Sequence, residues 1–176
     1  LVDSPAWRAL GESLVGEPLA AVEPPQWFSK PPQTEALTPP HQDNYYFCLR
    51  PPNVLTIWLA LKPVDQENGC LHYVRGSHKD GVRMHDVTSV LGFSQGINDY
   101  GPADAAREVM VELQAGDAAV HHGDTIHRTD PNLSKARQRP ALAMVCRGVS
   151  AQKDEVAVAA YKESVREQQA ALKVGG

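Results

Sequence analysis

Apolar and polar positions change rhythm twice along the chain. In "SPAWRALGESLVG", residues 4–16, apolar side chains recur near helical spacing behind Ser4, a capping residue, with Pro5 at the first helical position, where a missing N–H costs nothing. A short helix acting as a lid or buttress is expected there. From "EPPQWFSKPP" onward the texture turns to short β-prone segments separated by Pro, Gly, Asn and Asp. These predict strands over Gln26–Lys30, Asn44–Leu49, Val54–Leu61, Cys70–Val74, Glu108–Leu113, Asp117–His122 and Ala141–Val149. Strands at this spacing imply a sandwich or barrel. The stretch "DGVRMHDVTSVLGFSQGINDYGPADAAR" lacks periodicity and reads as a long excursion beside a site, mobile without ligand. The tail from Lys153 to Leu172, rich in Ala, Glu, Gln and Lys, predicts a closing helix.

Composition narrows the function. The 176 residues suit a single domain able to bury a core without staples. With 42% hydrophobic and 22% charged residues and a net charge of −4, the chain is neither a disordered segment nor a general nucleic-acid binder, and small molecules are the expected partners. Three cysteines form an odd, widely spaced set, and Cys48 and Cys146, flanked by apolar residues, read as buried small hydrophobes, which fits a reducing cytoplasm. No apolar run approaches the roughly 20 residues of a membrane span and no basic-then-apolar segment opens the chain, so no membrane partner is expected.

Chemistry concentrates in the histidines. In "TPPHQDNYYF", His41 and Asp43 stand two residues apart, and on an extended segment both point to one face and can reach one ion, an imidazole and a carboxylate suiting iron. A third ligand has to come from "GDAAVHHGDTIHRTDPN", where His121, His122 and His127 compete. His121 and His122 are adjacent on a predicted strand and therefore face opposite sides, one inward and hydrogen-bonded, one outward. A two-histidine, one-carboxylate set leaves three positions open on Fe(II), as oxygen activation requires. Beyond His127, Arg137 and Arg139 precede an apolar strand, and an arginine fork there matches a carboxylate bidentately. A dicarboxylate co-substrate is expected, with one of the two arginines left in solvent. Among the aromatics, Tyr45 and Phe47, or Tyr46, can line a substrate pocket, and Arg50 can meet an anionic group.

The segments "KPP…HQDNYYF", "TIWLALKPVDQENGCLHYVRGSHK" and "GDAAVHHGDTIHRTDPN…RPALA" resemble the three signature blocks of the phytanoyl-CoA dioxygenase-like family of Fe(II)/2-oxoglutarate-dependent oxygenases, in order, from Gln26 to about Arg147. The resemblance implies a mainly β fold, the double-stranded β-helix or cupin-like jelly roll with flanking helices, and a hydroxylase that consumes dioxygen and 2-oxoglutarate and releases succinate and CO2. It implies His41, Asp43 and His127 as iron ligands, and Gln26, Trp58, Thr129 and Arg139 around 2-oxoglutarate, Thr129 standing where the family usually has serine. Arg139 lies 12 residues after His127 (139 − 127), one more than expected, so Arg137 competes for the role.

Related halogenases have Ala or Gly at the position of Asp43, so its carboxylate implies hydroxylation. The family's Pro-Gly-Ser-His is here Arg75-Gly76-Ser77-His78, with His78 expected to hold its loop by hydrogen bonds. Only 40 residues precede His41, so an N-terminal portion of the family fold is expected to be missing from this single oxygenase domain. No basic cradle for CoA phosphates is visible. The rival readings are a cupin-like metal-binding barrel without oxygenase activity and a family member that has lost turnover.

Overall fold

The computed structural model describes residues 4–88 and 95–174. In chain order the elements are α1 (Pro5–Val15), β1 (Leu19–Val22), β2 (Gln26–Lys30), β3 (Thr38–His41), α2 (Asp43–Phe47), β4 (Leu49–Arg50), β5 (Val54–Ala60), β6 (Leu71–Val74), β7 (His85–Val87), β8 (Gln95–Ile97), α3 (Pro102–Ala105), β9 (Glu108–Val111), β10 (Ala118–His122), β11 (His127–Thr129), β12 (Arg139–Gly148), β13 (Gln152–Lys153) and α4 (Glu155–Val174). One sheet runs β1-β12-β5-β10, with β2 also on β12, and a second runs β3-β11-β6-β9. Every pairing within them is antiparallel. The two sheets enclose Trp58, Leu71, Leu113 and Ala143, forming the expected jelly roll.

The central strands are buried on both faces. Along β5, Thr56, Trp58 and Ala60 point into the barrel, while Leu55 and Ile57 point outward and pack with Leu19, Met144 and Cys146 under Trp7 and Val15 of α1. Helix α1 is thus a buttress rather than a lid. Covering Ile57 or Met144 in this way stabilises by ~1.5–3 kcal/mol each. Ser4 Oγ accepts from Trp7 N at 3.3 Å, capping the helix as expected. Close approach to the sheet needs Gly11, where a Cβ would sit 2.9 Å from Leu19 Cδ1 and 3.0 Å from Cys146 Sγ.

Two expectations need correction. The strand expected over Asn44–Leu49 is absent up to Cys48: Asp43–Phe47 is helix α2, followed by Cys48 at φ 50°, and only Leu49 falls in a strand, β4. Buried Asn44 organises this turn, its N–H donating to Gly123 O at 2.9 Å and its Oδ1 accepting from Leu49 N at 2.9 Å. These fixed hydrogen bonds override the β preference of Tyr-Tyr-Phe. His41 and Asp43 therefore sit on a strand-to-helix junction, not on one extended segment. The long excursion, in turn, holds the β7–β8 hairpin and α3, with residues 89–94 outside the described set. All three cysteines are free and buried. No described helix is long and apolar enough to cross a membrane.

Candidate metal centre and co-substrate pocket

His41 ends β3 and His127 begins β11, and the two are paired across that ladder, which puts their ring centroids 4.1 Å apart. The junction after His41 swings Asp43 in from the side. One ligand atom from each of His41, Asp43 and His127 falls within 4.8 Å of the others. Each ring turns Nδ1 to the carbonyl two residues upstream: His41 to Pro39 O at 2.9 Å, His127 to Thr125 O at 3.0 Å. With Nδ1–H donating there, Nε2 keeps its lone pair, and both Nε2 atoms lie 3.6 Å from Asp43 Oδ1.

The electrostatics favour the ligating forms. Burial, helped by the neighbouring His41 and His121, holds His127 well below the ordinary histidine range and keeps it neutral. Burial acts to raise the Asp43 carboxyl, but the imidazoles of His127, His121 and His41 gathered around it outweigh that, leaving Asp43 well below the ordinary carboxylate range. Its other oxygen, Oδ2, accepts from Thr56 Oγ1 at 2.6 Å and lies 3.1 Å from His121 Nε2. His121 Nδ1 is 2.8 Å from the Tyr73 hydroxyl, which burial and then the Asp43 charge push above its usual range, so the hydroxyl keeps its proton.

The cluster opens into a cavity of about 400 Å3 lined also by Gln26, Trp58, Thr129 and Arg139. Arg139 is only 3% exposed, its guanidinium 5.2 Å from the centre of the Trp58 ring, and burial lowers its pKa to about 10. Arg139 Nε and Thr129 Oγ1 are both buried without a hydrogen-bond partner. Two orphaned donors in the same cavity as the His41–Asp43–His127 cluster fit an anionic oxygen ligand such as a carboxylate. Gln26 is exposed at the mouth. Arg137 lies off the strand, its fork on Asp65 Oδ2 at 2.6 Å and Glu67 Oε2 at 2.5 Å, away from the cavity.

The remaining sequence candidates separate cleanly. Tyr46 and Phe47 line the cavity. Tyr45 instead stacks on His85 at 4.0 Å and, with Arg50, lines a separate cleft beside α4. His122 is half-buried and faces His78 at 5.8 Å, outside the cavity. His78 is exposed, and it is buried Ser77 that ties its loop to the site, Oγ accepting from Ile126 N at 2.8 Å, one residue before His127. In the Asn-Gly-Cys-Leu element, Gly69 adopts φ 84° and lies so close to Asp130 O that a Cβ would come within 2.5 Å.

Sequence reasoning missed Thr56, Tyr73 and Tyr161 and gave His121 no place beside Asp43. Strand parity carries a signal for two of them: Thr56 shares the face of Trp58, and His121 is the cross-strand partner of Thr56. Tyr161 enters the cavity from α4, and no local pattern announces where that helix docks.

A jelly roll with two histidines and a carboxylate grouped in one cavity, and an unpaired arginine lining the same cavity, has the architecture of the mononuclear iron, 2-oxoglutarate-using oxygenases. The profile of Phytanoyl-CoA dioxygenase (PhyH) matches residues 1–141, and the chain belongs to that family. It is 36% identical over 107 residues to Phytanoyl-CoA dioxygenase 1 of Oryza sativa subsp. japonica, covering 60% of this chain and 37% of the relative. Peroxisomal phytanoyl-CoA dioxygenase of Bos taurus is 34% identical over 115 residues, 61% of this chain and 34% of its own length. The chain thus spans a little over a third of these relatives. Among solved structures, EvdO2 from Micromonospora carbonacea var. aurantiaca complexed with 2-oxoglutarate superposes with a TM-score of 0.71 at 28% identity, over 87% of this chain and 63% of that one. The epimerase SnoN in complex with Fe3+, α-ketoglutarate and nogalamycin RO gives 0.64 at 28% identity, over 83% and 56%.

Proposed function

We propose that this chain carries the site of an Fe(II)- and 2-oxoglutarate-dependent dioxygenase that hydroxylates an unactivated C–H bond of a small metabolite. The observation that carries this reading is the presence, in one cavity, of the His41–Asp43–His127 cluster and the unpaired Arg139. His41 Nε2, Asp43 Oδ1 and His127 Nε2 hold the metal. Arg139 and Thr129 take the far carboxylate of 2-oxoglutarate, Trp58 walls it and Gln26 borders the entrance. When bound, Fe(II) would activate dioxygen, which is the oxidant, and 2-oxoglutarate would give up two electrons and leave as succinate and CO2.

The chain's own residues bind and orient. Neutral His127 and ionised Asp43 present lone pairs at the pH of the cell, and the Arg139 fork fixes which end of the co-substrate faces the cluster. Tyr46, Phe47 and Tyr161 form an aromatic wall that keeps water from the reacting carbon. Asp43 fills the position that resembling halogenases leave to Ala or Gly, which favours hydroxylation. The test is a metabolite screen for compounds that stimulate succinate release from 2-oxoglutarate in the presence of Fe(II). A product heavier by one oxygen supports the reading. Absence of succinate with every metabolite, and without any, returns the chain to a metal-binding barrel or a turnover-deficient relative.

A further inference from the structure

The two oxygens of Asp43 are treated differently by their surroundings. Oδ1 faces the Nε2 atoms of His41 and His127 at 3.6 Å each. Oδ2 is turned away and takes two donors, Thr56 Oγ1 at 2.6 Å and His121 Nε2 at 3.1 Å. Thr56 and His121 are direct cross-strand partners on β5 and β10, so one ladder position delivers both.

A carboxylate only accepts, so the nitrogen of His121 that faces it must carry the hydrogen. In the neutral ring Nδ1 then accepts, and the Tyr73 hydroxyl, 2.8 Å away, is the donor placed to satisfy it. Tyr73 belongs to the opposite sheet, where it pairs in register with His127. The hydrogen bonds therefore run one way, from Tyr73 through His121 to Asp43, and cross the barrel from sheet to sheet. Both ring nitrogens of His121 are engaged, which leaves neither free for an ion.

We propose that Tyr73, His121 and Thr56 are positioning residues that hold Oδ2 and so commit Asp43 to a single-oxygen contact with the metal through Oδ1. This rests on the reading of His41, Asp43 and His127 as the metal ligands. A carboxylate released to bind through both oxygens would take one of the three coordination positions that the co-substrate and dioxygen need. Tyr73 acts one step further out: by donating to Nδ1 it sets which His121 nitrogen carries the hydrogen.

The test uses the full chain loaded anaerobically with Co(II), whose visible ligand-field spectrum reports coordination number, together with the Co(II) dissociation constant. His121→Phe removes the donor and should weaken Co(II) binding about 10- to 100-fold and change the spectrum. His121→Gln still presents an N–H and should recover most of the affinity and the native spectrum, a rescue that a mere packing role would not produce. Tyr73→Phe should weaken binding about two- to tenfold, the worth of one hydrogen bond. His122→Gln is the control and should match the native protein.

If His121→Phe or, should that variant not fold, Tyr73→Phe leaves both affinity and spectrum native, the proposal is wrong. Complete loss of binding in His121→Gln would make His121 a ligand and likewise overturn it. Retention of Co(II) by His127→Ala and Asp43→Ala alike would instead sink the underlying metal-site reading.

Discussion

Lys30 and Arg139 stand opposite each other across the β2–β12 ladder, two buried cations with no carboxylate in ion-pair contact with either among the described residues. Lys30 Nζ donates instead to Ala36 O at 2.7 Å and Asp130 O at 2.8 Å. Arg139 keeps its charge directed at the cavity. The arrangement is one that an incoming dianion relieves.

Arg139→Ala should weaken anaerobic 2-oxoglutarate binding about thirtyfold or more, because a buried charge-paired contact is worth ~2–5 kcal/mol. Arg137→Ala, at a solvated surface fork, should leave the dissociation constant within about twofold. Titrating both variants with an inert divalent metal in place of Fe(II) checks this, and the opposite ranking would move the clamp to Arg137.

Lys30 gives a pH signature. Burial, then the Arg139 charge, lowers its pKa to about 7 from 10.5, with Asp130 opposing. Between pH 7 and 10.5 the unfolded chain binds the proton that the folded chain has released, so this group makes stability rise with pH across that window, by at most ~1.4 kcal/mol per pH unit. Below pH 7 the penalty of the buried charge is present in full. Urea unfolding at pH 7 and pH 9 should show the native protein gaining on Lys30→Met, and the gain should shrink when saturating 2-oxoglutarate sits against Arg139. A pH-independent difference would mean that Lys30 stays charged throughout.

Much of this was legible in the chain, for reasons that differ by residue. That His41, Asp43 and His127 come together was readable because their spacing sits inside three co-occurring sequence blocks, and that Arg139 is the buried arginine because it abuts an apolar strand. Helix α2 was not readable, since Tyr45, Tyr46 and Phe47 favour strands and the hydrogen bonds that bend them come from Asn44 and the remote Gly123. Strand parity alone gives His121 no role beyond a hydrogen bond, since adjacent histidines point in opposite directions. That parity is right, but what lies on the inward side depends on Tyr73 and Asp43, which are brought there only by the closed barrel.

Gly69→Ala should destabilise the protein by ~1–3 kcal/mol, since the left-handed backbone at that position is strained for alanine even before the added carbon meets Asp130 O. Because Asp130 O also accepts from Lys30, the variant should bind 2-oxoglutarate less tightly as well. Urea unfolding and a co-substrate titration measure the two effects. A variant with native stability would mean that the loop can move aside without cost.

His127→Ala should abolish stoichiometric Fe(II) binding, whereas His122→Ala should retain it, because His122 lies outside the cavity. Equilibrium dialysis under nitrogen separates the two outcomes. Loss of the metal in His122→Ala with retention in His127→Ala would reverse the assignment.

The upstream carbonyls of Pro39 and Thr125 choose which nitrogen of His41 and His127 faces Asp43. A peptide oxygen is present whatever side chain the residue carries, so point substitution at either position leaves that choice intact. The side chains around the cavity, and with them the molecules it accepts, can then be exchanged without turning either imidazole.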